Sequence, residues 1–351
     1  MSAPGPSTGR RLALALAALV CAAAVFLFAA TWVAGAQTWP PGEQTVARLL
    51  GTAPADIEAR VAKGDATKPL RIGVVGDIQN GISELGDLLD SLRDEHVDFF
   101  LQIGDAANAG HEGRYALLRR MFEEHAPGVP LVAVPGNHDV YPDQNTEVWT
   151  RWVGPAQWRL DVRGWRILGI DDSLGPISEE SMDLLRAAAK DAPPRCGTIV
   201  VAHRPLAGHE LAPKGDHWED RVLQLADSGI KPTATLAGHW HTNDTHRDEQ
   251  GVTHYLLGEN CDRASSGVDP DISKAILTLS APGGGATSHN LSIVRLPRHI
   301  HVTGEFMRLA VGTVYPELRQ HAVVAWLAAI AAVVASWRLV RAALRRGPAP
   351  A

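Results

Sequence analysis

Five short stretches carry side chains able to bind metal ions and move protons. They are Gly76-Asp77-Ile78-Gln79, Gly104-Asp105-Ala106-Ala107-Asn108, Gly136-Asn137-His138-Asp139, Ala202-His203-Arg204 and Gly238-His239-Trp240-His241. Taken singly they mean little: a Gly-Asp after a strand is usually turn chemistry, and a histidine before Arg-Pro is usually a loop residue. Gly-Asn-His-Asp is rarer, and His-x-His at a strand end puts two imidazoles within reach of one site. A mixed oxygen and nitrogen donor set of this kind suits manganese, iron or zinc rather than calcium.

Each stretch follows an apolar, strand-like run, at 71–75, 98–103, 131–134, 198–202 and 233–237. A further run at 166–170 and helical patterns at 83–95, 112–125, 179–189 and 218–227 complete an alternation that predicts an α/β core of parallel strands. In open α/β sheets ligands bind where the carboxyl ends of strands meet their loops, and all five stretches fall there. Beyond His241 the texture changes to short strands at 253–257, 275–279 and 291–296, with Pro-Gly-Gly-Gly at 282–285, expected to run antiparallel and complete a second sheet.

The motif series DIQ, GDAAN, GNHD, VVAH and GHWH resembles that of the calcineurin-like metallophosphoesterase superfamily, over about residues 70–296. The resemblance implies a four-layer α/β/β/α sandwich with two divalent metal ions at the strand ends. It implies one ion held by Asp77, Gln79, Asp105 and His241, and a second by Asp105, Asn137, His203 and His239, with Asp105 bridging. A water shared by two such ions becomes a hydroxide that attacks phosphorus in line, so the implied activity is hydrolysis of phosphate mono- or diesters. His138, beside a ligand, would stabilise the phosphoryl group or protonate the leaving oxygen. Arg204 would clamp a substrate phosphate.

Two positions depart from the commonest family pattern. Gln79 stands where the first motif usually has histidine, as in manganese-dependent enzymes resembling ADP-ribose/CDP-alcohol diphosphatase, so Mn²⁺ is the first choice of metal, with iron or zinc as alternatives. Asn108 stands where purple acid phosphatases have their tyrosine, which argues against a purple iron site. Several members have an aspartate there that orients the histidine of GNH; Asn108 would orient His138 without a negative charge. Two rival readings remain: a nucleotide-diphosphate-type pyrophosphatase, and a catalytically silent relative that binds phosphorylated ligands.

The chain has 351 residues, a net charge of -6 and a pI near 6.2, with no internal basic cluster, so nucleic-acid polymers are not expected partners. Its ends point to a membrane instead. From Leu12 to Ala36 there is no charge, a length that reads as a signal-anchor helix, with a cleaved signal peptide ending near Ala34-Gly35-Ala36 as the alternative. A second apolar run begins at Ala322 and is followed by Arg338, Arg341, Arg345 and Arg346. With Arg10-Arg11 before the first run, the positive-inside rule puts both ends in the cytoplasm and the domain outside it.

The expected organisation is an N-terminal tail and anchor at 1–36, a juxtamembrane linker at 37–69 with a short helix at 43–50, and a catalytic domain at 70–300. A linker at 301–320, a transmembrane helix at 321–340 and a basic tail at 341–351 follow. The expected substrate is a small phosphorylated molecule, envelope- or membrane-derived. Cys196 and Cys261 either pair or remain two thiols.

Overall fold

The computed structural model describes residues 8–39, 50–208, 212, 215–258, 271–280, 287–299 and 301–344. Two compact units emerge, one of residues 42–308 and one made of the two chain ends, 1–41 and 309–351.

The chain enters through α1 (Thr8–Thr38), which belongs to the terminal unit. The larger unit then runs α2 (Pro54–Ala62), β1 (Leu70–Val75), α3 (Ile82–Asp94), β2 (Phe99–Ile103), α4 (Glu112–His125), β3 (Leu131–Val134), α5 (Asn137–Val140) and α6 (Glu147–Trp152). It continues through β4 (Trp158–Val162), β5 (Trp165–Gly169), α7 (Glu179–Lys190), β6 (Gly197–Val201), α8 (Trp218–Asp227), β7 (Ala234–Ala237), β8 (Asp244–Arg247), β9 (Thr253–Leu256), β10 (Asp271–Leu279) and β11 (His289–Pro297). It closes with α9 (Val302–Leu309); a π-turn at Ala310–Val314, α10 (Tyr315–Gln320) and α11 (Ala322–Leu344) return the chain to the terminal unit.

Two sheets face each other. The first has the order β11-β10-β1-β2-β3 and the second β4-β5-β6-β7-β9-β8. Strand alternation builds the layers: Ile72, Val74, Leu101, Ile167, Ile199, Val201 and Leu277 fill a core between the sheets. On the second sheet the neighbouring residues Leu168, Ile170, Val200 and Ala202 point the other way, onto Met182 and Leu185 of α7 and Leu225 of α8. On the outer face of the first sheet, Phe100 meets Phe122 of α4 edge to face at 5.6 Å. Helix, sheet, sheet and helix are therefore stacked as four layers. Local signals place these elements: Ser178 caps α7 through its hydroxyl, Glu179 and Glu180 sit in the first turn, and Lys190 in the last.

The late strands do not together complete the second sheet as an antiparallel run. β9 extends the second sheet in parallel beside β7, with β8 antiparallel on its far side, whereas β10 pairs antiparallel with β1 and carries β11 at the edge of the first sheet. The segment expected to be a linker also contributes to the fold, because Ile57 and Val61 of α2 are buried in the inter-sheet core. The larger unit thus takes in more chain than the expected 70–300, and 301–320 is helical rather than a linker. Of the helix expected at 43–50 only Leu50 is described, and the turn at 282–285 lies outside the described residues. Cys196 is a buried free thiol, and Cys261 likewise lies outside the described residues.

In the terminal unit, α1 and α11 are each long and apolar enough to cross a membrane, over Arg11–Thr38 and Ala322–Ala342. Phe28 and Trp32 of α1 pack on Trp326 of α11 at ring separations of 5.1 and 5.2 Å. Most of their remaining apolar side chains, Leu12, Leu16, Phe26, Val323 and Ile330 among them, are exposed.

Candidate metal centre

The loop after β1 delivers Asp77 and Gln79, that after β2 Asp105, and that after β3 Asn137 and His138 at the start of α5. His203 follows β6, and His239 and His241 follow β7. Main-chain bonds stitch these loops together: Asp77 N–H donates to Gly104 at 3.1 Å, Gln79 N–H to Asp105 at 3.1 Å, and Gly238 N–H to His203 at 3.0 Å. Among the described residues, nine non-glycine residues have positive φ, and five of them are Asp77, Gln79, Asp105, His239 and His241. A left-handed backbone is costly for such residues, and its concentration here marks loops bent to aim side chains at one place.

Glycines of neighbouring motifs make the close approach feasible. A Cβ on Gly136 would lie 2.2 Å from Asp105 Oδ1, and one on Gly238 would lie 2.4 Å from Asp77 Oδ2.

Asp77, Asp105 and His241 bring ligand atoms within 4.8 Å of one another. Asp77 is fully buried; its Oδ2 accepts the His239 N–H at 3.2 Å, while Oδ1 has no hydrogen-bond donor and faces His241 Nε2 at 3.1 Å. Asp105, 1% exposed, accepts Gln79 Nε2 at 3.0 Å on Oδ2 and the His138 N–H at 2.9 Å on Oδ1. Its Oδ1 also lies 3.4 Å from His203 Nε2. Asp105 thus stands between the two predicted ligand sets, reaching Gln79 on one side and His203 on the other.

His203 is fully buried, and Nδ1 donates to the Ile103 carbonyl at 3.0 Å. That fixes the tautomer and turns Nε2 onto Asn137 Oδ1, 3.1 Å away, and Asp105 Oδ1. Three acceptor atoms converging on one spot call for a cation among them. Burial opposes charging His203, yet the Asp105 carboxylate outweighs it and pushes the imidazole up to about 9, the pull on a positive charge at Nε2 that either a proton or a metal ion can answer. His239 lies beside His203 with ring centroids 5.0 Å apart, and Arg204 Nη1 donates to its Nε2 at 2.7 Å, so Nδ1 is the ring nitrogen that Arg204 does not engage. Burial, reinforced by His203 and Arg204, drives His239 down to about 2, so it is neutral, as metal ligation requires. Two buried carboxylates, imidazoles and carboxamides, with a buried carboxylate oxygen lacking any donor, fit a pair of divalent cations.

His138 is oriented differently from the sequence expectation. Its Nδ1 meets the main-chain carbonyl of Asn108 at 3.2 Å rather than the carboxamide. Nε2 is 3.9 Å from Asp105 Oδ2. His138, Asn137, Asn108 and Arg204 line a cleft of about 400 Å³ that opens beside the ligand cluster.

Three carboxylates outside the predicted set hold these groups in place. Asp139 is 2% exposed and accepts Gly136 and Ala106 N–H on Oδ2, at 2.9 and 3.1 Å, and Ala107 N–H and the Tyr115 hydroxyl on Oδ1, at 3.0 and 3.1 Å. Burial and the nearby Asp105 charge push it up to about 7, against the amide donors that favour the carboxylate. Asp172, fully buried and pushed up to about 6 by burial, accepts the His203 N–H at 3.1 Å and the Arg204 N–H at 2.9 Å. Asp216 accepts Arg221 Nη2 at 2.9 Å and the Trp240 indole N–H, and stands 3.6 Å from Arg204 Nη1. Asp172 had a signal, since Asp171-Asp172 end a strand as the other site aspartates do; Asp216 had none.

Residues 70–243 match the family model of the calcineurin-like phosphoesterases. A curated relative, the 3′,5′-cyclic adenosine monophosphate phosphodiesterase CpdA of Escherichia coli, is 27% identical over 173 residues, covering 44% of this chain and 58% of its own length. Among solved structures, a dimetal phosphatase from Danio rerio is 16% identical with a TM-score of 0.45, covering 66% of this chain and all of that one. A purple acid phosphatase from yellow lupin is 17% identical with a TM-score of 0.46, covering 64% of this chain and 54% of that one.

Proposed function

We propose that the chain is a calcineurin-like phosphoesterase, the family whose model matches residues 70–243, and that it hydrolyses phosphate esters at a two-metal centre. The observation that carries the reading is Asp105, buried between the Asp77/Gln79/His241 and Asn137/His203/His239 groups with an oxygen turned to each side. These residues would hold two divalent ions, which would supply charge to activate water and to screen the phosphoryl oxygens. Mn²⁺ is the proposed ion at the Gln79 side: Gln79 Nε2 binds Asp105, which leaves the amide oxygen as a neutral, hard ligand.

The chain's own groups then have definite tasks. Arg204 holds its guanidinium at the cleft between His239 and Asp216, where a phosphoryl oxygen can dock. The Asn108 carbonyl keeps a proton on His138 Nδ1, so it is the imidazolium that donates its Nε2 proton to the departing oxygen, leaving the neutral Nδ1–H imidazole at the edge of the cleft. A diester is favoured over a monoester because the Escherichia coli relative is named as a phosphodiesterase. The DIQ motif keeps a nucleotide diphosphatase of the ADP-ribose/CDP-alcohol type as the second substrate reading.

The proposed setting is a membrane, crossed by α1 and α11, with the larger unit outside the cytoplasm; Arg10-Arg11 and the arginines after Trp337 motivate this orientation. The test is a hydrolysis screen of the chelator-treated full chain in detergent, with Mn²⁺, Zn²⁺ or Fe²⁺ restored, against nitrophenyl mono- and diesters, cyclic nucleotides and nucleotide diphosphates. Metal-dependent turnover of at least one ester is expected. No turnover with any metal restored, despite phosphate binding, would favour a silent ligand-binding relative.

A further inference from the structure

The cleft beside the metal ligands has a second character that phosphate binding alone does not require. Besides His138, Asn137 and Arg204 its lining includes Tyr141, Gln144, Leu174 and Asn108, and among the described residues no carboxylate. Tyr141 is 58% exposed and Leu174 53%, large apolar surfaces left open at a polar site. The Tyr141 main chain is pinned, with its carbonyl accepting the Gly110 N–H at 2.9 Å, so the ring is presented from a fixed base three residues from His138. Gln144 and Asn108 add neutral carboxamides, groups that both donate and accept hydrogen bonds.

An inorganic or small aliphatic phosphate would leave the ring, the leucine and the amides idle. A flat heteroaromatic ring with hydrogen-bonding edges would use all of them: stacking on the aromatic face, apolar contact with leucine, and amide bonds at the edge. We propose that Tyr141 is the ring platform of the substrate site, and that the organic group of the phosphoester carries a heteroaromatic base, as a nucleotide does. The inference rests on the phosphoesterase reading and extends it to the substrate class.

The test measures binding of adenosine 5′-monophosphate, ribose 5-phosphate and inorganic phosphate to the Mn²⁺-loaded full chain in detergent by calorimetry. The expected result is about tenfold tighter binding of adenosine monophosphate than of ribose 5-phosphate, the scale of one base stacked on one aromatic ring. Tyr141→Ala should erase that ratio while leaving inorganic phosphate unchanged, and Tyr141→Phe should keep it. A wild-type ratio near one, or a ratio that survives Tyr141→Ala, overturns the platform and leaves the phosphoesterase reading intact. Absence of binding by all three ligands overturns both.

Discussion

Replacing Asp139 with asparagine tests how the ligand loops are held. The carboxylate receives four hydrogen bonds, from the main-chain N–H groups of Gly136, Ala106 and Ala107 and from the Tyr115 hydroxyl. It thereby ties the loop carrying Asp105 to the loop carrying Asn137. Asparagine keeps one acceptor oxygen, best placed on the Gly136 and Ala106 pair, and Tyr115 can turn to accept from the new amide. The Ala107 N–H is then buried with no acceptor, which costs about 1–3 kcal/mol, and the remaining bonds lose their charge assistance for about 1 kcal/mol more. Losing a charge that burial and Asp105 oppose returns part of this, leaving a net loss of about 1–3 kcal/mol. For a unit of this size that lowers Tm by about 3–10 °C. Displaced loops should also weaken Mn²⁺ binding by about 10–100-fold, as loss of an outer-shell partner does. Thermal unfolding followed by circular dichroism, with calorimetric Mn²⁺ titration, reads both. An unchanged Tm together with unchanged Mn²⁺ affinity would refute the idea that Asp139 is the tie.

Gln79→Ala is expected to raise the Mn²⁺ concentration for half-activation about tenfold, and Gln79→His to shift the preference towards zinc, both read from activation curves after chelation. Asn108→Ala is expected to raise KM, because its carboxamide lines the cleft, while leaving kcat and its pH profile close to wild type, because His138 Nδ1 uses the Asn108 main-chain carbonyl; an altered pH profile would show that the carboxamide itself acts on the histidine. Reporter fusions placed after residue 65 and at the carboxyl end are expected to report opposite compartments, the first outside and the second cytoplasmic; a carboxyl-end reporter active only outside would contradict the two-span orientation.

The strand-end groups were legible because each lies next in sequence to an apolar run whose period and length mark a strand, so local pattern alone places Asp77, Asp105, Asn137, His203, His239 and His241 at loop starts. What joins them was not local. β10 pairs with β1 across some two hundred residues of chain, from Leu70 opposite Leu279 to Val74 opposite Ala275, and no short-range signal distinguishes that partner from β9. β4 was missed although Trp158, Leu160 and Val162 alternate inward and Arg163-Gly164, with φ of 47° and 80°, form the two-residue turn of a hairpin into β5. Asp139 was visible within GNHD, but its role depends on amides of a loop thirty residues earlier that only the folded chain brings within reach. The same holds for the Asn108 carbonyl: sequence shows a side chain in a motif and is silent on which atom of the residue faces His138.

The most direct test of the account is the metal content of the purified protein and of Asp105→Asn, measured by elemental analysis after equilibration with Mn²⁺ and a competing chelator. Asp105 carries the one negative charge placed between both ligand sets, so wild type should hold two ions per chain, and Asp105→Asn fewer than two with turnover at background. Two ions retained by Asp105→Asn, with near-normal hydrolysis, would contradict the two-metal centre built on that carboxylate.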